Sequence, residues 1–203
     1  NMSDQRLTSD RTILDWIQGQ SRAIAFSAKD LANLGGAAAV RKALERLTKR
    51  GELRRIRRGY YDRPKDHPLL GKTSPDPMSL VRSMMADSGA KWQVSGAYAA
   101  NLLHLSEQVP AKIVILTDGV PRKVKLDRLV IDFRRTSPRN LVGAGRPAGL
   151  VVQALRSLRA TGITPDVIVK LRRELKRADK AELAELVPQL PAWMRPIVGE
   201  VTR

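Results

Sequence analysis

The chain has no cysteine, and only two histidines, His67 and His104, among its 203 residues. The first absence excludes disulfide cross-links, zinc fingers, thiol catalysis and iron–sulfur ligation. The second leaves little from which to build an imidazole metal site or a His-dependent triad. Aromatic residues make up only 4% of the chain, which argues against a stacking platform for single strands. Aliphatic runs such as Ile113-Val114-Ile115-Leu116 fall far short of the ~20 residues that a spanning helix needs. No apolar stretch follows a basic start, so no secretory signal is expected, and the cytoplasm is the expected location. Asn1 ahead of Met2 is expected to be foreign to a native chain that starts at Met2. Acidic residues are scarce too, 20 against 37 Lys and Arg, for a formal net charge of +17. Such an excess points to a polyanionic partner, with nucleic acid favoured over an acidic membrane surface.

What is there is 42% apolar and 28% charged residues, enough for a sizeable core and for one or two domains. The positive charge is concentrated in two places. Residues 41–65 hold 11 basic and 3 acidic side chains, and residues 121–146 hold 8 and 2. Between them Pro64, Pro68, Pro75 and Pro77 interrupt any helix or central strand. Residues 64–77 therefore read as a proline-rich connection. The expected organisation is a DNA-binding domain over 1–66, a linker over 67–77 and a second domain over 78–203.

In the first part Asp10 reads as the N-cap of a helix to Gly19, with Ile13, Leu14 and Ile17 on one face. Ser27-Ala28-Lys29-Asp30 resembles a capping box and opens a short helix to about Asn33. Gly35-Gly36 breaks the chain ahead of a third helix from Ala37 to Arg50. Its Val40, Ala43, Leu44 and Leu47 fall on one face, with Lys42, Glu45, Arg46 and Lys49 opposite. Gly51 ends it, and Glu52 to Asp62 reads as two short strands around Gly59. Three helices and a basic hairpin are the order of a winged helix-turn-helix, in which one helix enters the major groove and the hairpin reaches flanking phosphates. The candidate DNA contacts are Ser27, Lys29, Arg41, Lys42, Arg46, Lys49, Arg55, Arg57, Arg58 and Tyr60. The plain alternative is a solvated basic helix on an unrelated domain. Of Tyr60 and Tyr61, strand alternation sends one ring into the core and the other outward.

In the second part the pattern predicts a helix over 77–87, a strand near Lys91–Val94, a small-residue helix over Gly96–Leu105 and a buried strand over 112–117. Charged strands follow over 122–126 and 129–134, then helices over 147–158, 165–176, 179–186 and from Ala192 onward. Sheet first and helices after argues an α+β fold with a small, mainly antiparallel sheet. A second basic group, Arg122, Lys123, Lys125, Arg128, Arg134, Arg135 and Arg139, is expected to form one positive surface for nucleic acid or a partner. Trp92, Trp193 and His104 read as packing residues and His67 as solvated. The glycines of Gly143–Gly149 have one residue too many for a dinucleotide fingerprint. They read as a plain loop, with a phosphate cradle at the next helix N-terminus as the alternative. Asp118 and Asp132 beside Lys123 or Lys125 only faintly suggest a metal nuclease. No cofactor or metal is expected.

One resemblance extends over most of residues 27–195. Arg57-Arg58-Gly59-Tyr60-Tyr61-Asp62, Ser95 through Ser106, Val109 through Gly119, Phe133 through Asn140 and Val152-Gln153-Ala154-Leu155-Arg156 together resemble the AbiEi-like antitoxins of bacterial type IV toxin–antitoxin systems. The resemblance implies a winged helix that binds double-stranded repeats in its own promoter. It also implies a C-terminal domain that counters a nucleotidyltransferase-type toxin, often with no stable complex, and no active site. A transcriptional autorepressor and antitoxin is thus the expected function. The alternative from another class is a nuclease-like enzyme brought to nucleic acid by its winged helix.

Overall fold

A computed structural model describes residues 2–20, 23–69, 71–86, 88–159 and 162–203, with backbone alone over 2–8; Asn1 lies outside them. The fold is α+β, and the chain divides into two compact units, residues 1–88 and 89–203.

The first unit begins with α1 (Met2–Gln18). Asp10 is no N-cap but a buried residue in mid-helix. Strand β1 (Ala25–Ser27) follows. Asp30 takes the Ser27 N–H at 2.7 Å, as a capping-box acid does, yet only turns and a 3-10 segment, Ala32–Leu34, come next. Helix α2 (Ala37–Lys49) buries Val40, Ala43, Leu44 and Leu47, the face its spacing predicts. Glycine is needed just beyond it, where Gly51 sits at φ 75°. Strands β2 (Arg54–Arg57) and β3 (Tyr60–Asp62) form a hairpin turned at Gly59, and β1 pairs on the other side of β3 in an all-antiparallel sheet ordered β1-β3-β2. Ile13, Phe26, Leu31, Leu44 and Leu47, each at most 1% exposed, centre the core under this sheet. A buried side chain of this kind contributes about 2 kcal/mol.

The proline-rich connection is folded structure belonging to this unit. Strands β4 (Asp66–His67) and β5 (Gly71–Lys72) form a second small hairpin, extended by Thr73 N–H to Lys65 C=O at 2.9 Å and Lys65 N–H to Thr73 Oγ1 at 3.0 Å. Asp76 caps α3 (Pro77–Met85) through the Met78 N–H at 3.1 Å. Pro77 occupies the first turn, where proline's missing N–H costs nothing. Helix α3 packs on β1, and the Ser79 hydroxyl accepts the Ala25 N–H at 2.7 Å. The boundary expected at 66–77 therefore falls at 88, because these prolines start elements as well as stop them.

The second unit holds β6 (Trp92–Ser95), α4 (Gly96–Leu102), β7 (Lys112–Thr117), β8 (Arg122–Leu126) and β9 (Leu129–Arg135). The sheet order is β6-β7-β9-β8; its outer pairings are antiparallel and its central β7/β9 pairing is parallel. Then come α5 (Pro147–Leu158), α6 (Pro165–Glu174), α7 (Arg177–Glu185) and α8 (Arg195–Thr202). These helices meet in a cluster of Val151, Val152, Leu155, Leu171, Leu183 and Val198. Gly143–Gly149 is a packing loop: a Cβ on Gly149 would lie 2.1 Å from the Gly143 carbonyl oxygen. The Gly145 N–H donates to Gln93 Oε1 at 2.9 Å and the Arg146 N–H to the Gly143 carbonyl at 3.1 Å, so both are already used. His104 is exposed at φ 55° in the left-handed position that ends α4, with Leu105 N–H returning to Ala100 C=O at 2.9 Å. It is a helix terminator, not a packing residue. Trp92 and Trp193 are half-buried, and the Arg159 guanidinium lies 4.8 Å above the Trp193 ring.

Because α3 and its hydroxyl bond complete the first unit, a fragment ending at residue 66 should show no cooperative unfolding. One ending at Ser88 should unfold in a single transition. Urea titration followed by the fluorescence of Trp16 checks both.

Candidate nucleic-acid interface

The first unit sorts its cations by whether a carboxylate holds them. At about 100° per residue, Arg46 stands on the flank of α2's buried stripe and turns toward α1. Its Nη2 donates to Asp10 Oδ1 at 2.6 Å, and Arg50 Nη1 donates to Asp10 Oδ2 at 2.9 Å. Arg50 also reaches Glu52 at 2.7 Å. Burial pushes the Asp10 carboxyl up, but hydrogen bonds from Arg46 and Arg50, with their charges, outweigh it and hold the group below its ordinary value. Arg54 grips the buried Asp62 in two-pronged fashion, at 3.0 and 2.7 Å, and reaches the Thr73 carbonyl at 3.1 Å. Arg46, expected to face a groove, is thus a clamp between helices. Ser27 is buried and its hydroxyl donates to Asp30 at 2.9 Å, so it too is structural.

What remains outward is narrower than the set expected from sequence. Arg41, Lys42, Glu45 and Lys49 are exposed on α2, with Lys49 and Glu45 paired at 3.0 Å. Arg41 donates back to Ala37 C=O at 3.3 Å. Ahead of them Ala37, Ala38 and Ala39 leave the first turn of α2 exposed and free of bulk. Lys29 is exposed in the turn before the 3-10 segment. On the hairpin, Arg55 and Arg58 are exposed, with a register shift between Arg55 and Arg57. Arg57 is half-buried with its guanidinium 5.8 Å from the Tyr60 ring centroid, and its Nε is buried with no acceptor. Tyr61 packs toward the core, 6.4 Å from the Phe26 ring, and Tyr60 lies under Arg57. The two rings divide as strand alternation predicts. Lys42, Arg55 and Arg58 carry no carboxylate partner among the described residues.

In the second unit the seven basic residues do not form one strip. The pairing register sets Lys123, Lys125 and Arg134 on one sheet face with Lys112, which sequence reading missed. Arg122 and Arg135 alternate to the other face, where Arg122 stands 4.9 Å from the Phe133 ring centroid. Arg128 lies in the β8–β9 turn and Arg139 in the 3-10 turn Pro138–Asn140. Asp132 is 5% exposed and held by Lys112 and Arg134, each at 2.9 Å. The Lys112 hydrogen bond leads in holding its carboxyl below the ordinary value, against burial, with Arg134 adding to it. Asp118 accepts the Lys91 N–H at 2.9 Å. Both acids that suggested a nuclease are thus bound by neighbouring donors. None of the described helices is long and apolar enough to cross a membrane.

A family model matches residues 12–183, across both units. The chain belongs to DUF6088, a family of unknown function. No curated protein matches it. In this DUF6088 chain the matched span contains Arg46, the basic hairpin and the whole β6–β9 sheet, while Asp10 lies just ahead of it.

The Asp10 clamp gives a signed expectation. A carboxyl held below its usual value contributes stability that is present above about pH 4 and is lost as pH falls through its own lower value. Asp10→Asn should cost about 2 kcal/mol at pH 7. That gap should close as pH drops below about 4. Urea unfolding of residues 1–88 at several pH values measures it; a gap unchanged between pH 7 and 3 would mean the ion pairs contribute nothing.

Proposed function

We propose that residues 1–88 form a winged helix-turn-helix that binds duplex DNA, with α2 in the major groove and the β2–β3 hairpin along the flanking backbone. The observation that carries this reading is the set of exposed cations without carboxylate partners, Lys42 on α2 and Arg55 and Arg58 on the hairpin. They stand on two adjacent elements of an α-β-turn-α-β-β unit whose third strand lies central. The groove admits one helix, and the small side chains at the start of α2 let its backbone come close to base edges. Ala37–Ala39 offer thymine methyls an apolar contact, so hydrogen-bonded readout falls to Arg41, Lys42 and Glu45. Arg57 stacked with Tyr60 stiffens the wing, and Arg55 and Arg58 supply phosphate contacts.

The wider reading rests on the resemblance to AbiEi-like antitoxins. In it the protein acts in the cytoplasm and represses its own promoter through this unit. Residues 89–203 counter a nucleotidyltransferase-type toxin, with no chemistry of their own.

Fluorescence anisotropy with duplex DNA from upstream of the gene, titrated against salt, tests the binding claim. Neutralising a phosphate releases its counterion, so Arg55→Ala with Arg58→Ala should weaken binding to every duplex. The log–log salt slope should flatten by about 0.9 for each phosphate no longer neutralised. Lys42→Ala should weaken the promoter duplex more than an unrelated one. Arg46→Ala should lower stability while leaving the slope alone. Absence of duplex binding at low salt would overturn the reading.

A further inference from the structure

After β9 the chain makes the 3-10 turn Pro138–Asn140, which α5 fastens from below. Gln153 Nε2 donates to the Asn140 carbonyl at 2.9 Å, and Asn140 Nδ2 donates to Thr136 Oγ1 at 2.9 Å. Arg156 donates through Nη1 to Asn140 Oδ1 at 2.7 Å and through Nη2 to the Arg139 carbonyl at 3.4 Å. Both of these acceptors on the half-buried guanidinium are neutral. Its Nε is buried and has no acceptor at all. Burial first, and then the charge of the Arg139 guanidinium, lower the pKa of Arg156. Among the described residues no carboxylate pairs with Arg139 or Arg156. Elsewhere in the second unit Asp132 pairs with Lys112 and Arg134, and Glu182 with Arg146.

Two adjacent guanidinium groups, one partly desolvated and neither neutralised, repel each other and favour an anion between them. A guanidinium presents paired N–H groups that match two oxygens of a phosphate. Arg139 and the Ser137 side chain are exposed at the lip, so the place is open to a ligand. We infer that Arg139 and Arg156, with the Ser137–Asn140 turn, form a binding site for a phosphate group. The site lies wholly within residues 89–203 and does not depend on DNA binding by residues 1–88. Sequence reading put Arg139 in a general basic surface and passed over Arg156, whose partner Asn140 is sixteen residues away.

Nitrogen–proton correlation NMR on the full chain tests the site, read at the Arg156 Nε–H and the backbone amides of Ser137, Arg139 and Asn140. Inorganic phosphate, titrated at constant ionic strength against chloride, should move these signals saturably, while chloride alone leaves them in place. In Arg139→Ala, a change at an exposed side chain, the apparent affinity should fall roughly tenfold. A second readout guards against mere loss of fold. In chloride Arg139→Ala should melt no lower than the wild type, because the repulsion is relieved, and added phosphate should raise the wild type more than the variant. A short thymidine oligonucleotide forms the other arm. The same signals moving at much lower oligonucleotide concentration would identify the phosphate as a nucleic-acid backbone, and a response to inorganic phosphate alone would identify a phosphomonoester. No response at these signals to either probe, or equal responses in the wild type and Arg139→Ala, would overturn the proposal.

Discussion

Carboxylates are the limiting resource of this molecule. With 20 acids for 37 Lys and Arg, each buried acid decides which cations become structural and which stay free. Asp10 takes Arg46 and Arg50 and so joins α1 to α2, across 36 and 40 residues of sequence. Asp62 takes Arg54 and fixes the hairpin to the chain at Thr73. Asp132 takes Lys112 across the parallel β7/β9 pair and Arg134 from its own strand. A buried carboxylate left without its arginine would be costly, so these pairs set the positions of α2 and the hairpin rigidly. The cations that remain are displayed on elements those pairs hold still.

The fold class and most elements were legible because periodicity reports burial directly. The buried stripe of α2, the strand over 112–117 and the helix starting at Pro147 all appear where apolar spacing puts them. The proline stretch misled for a physical reason. Proline excludes helix interiors but favours a first helical turn and tolerates edges and turns, so Pro77 begins α3, Pro64 precedes the small hairpin and Pro68 sits in its turn. Asp10 misled similarly: an acid before an apolar run looks like a cap, and nothing local reveals that two arginines from another helix cover it.

The site was legible as chemistry and not as geometry. Basic density located α2 and the hairpin, but it did not separate Arg46, which helical phase puts on the flank, from Lys42, which phase puts nearer the outer face. Alternation along β8 and β9 could have warned that Arg122 and Arg135 face away from Lys123 and Arg134. The Arg139–Arg156 pair had no local signal, since it needs a turn and a helix brought together by Asn140.

The first unit thus acts, in the function proposed for it, as a rigid cationic reader with α2 and the β2–β3 hairpin as its binding surface. Hydrogen–deuterium exchange of the full chain, with and without duplex DNA from upstream of the gene, puts that assignment to the test in one experiment. Slowed exchange is expected in peptides spanning residues 37–61, strongest at the exposed start of α2 and around Gly59. Slowing confined to residues 89–203, or none at low salt, would refute it.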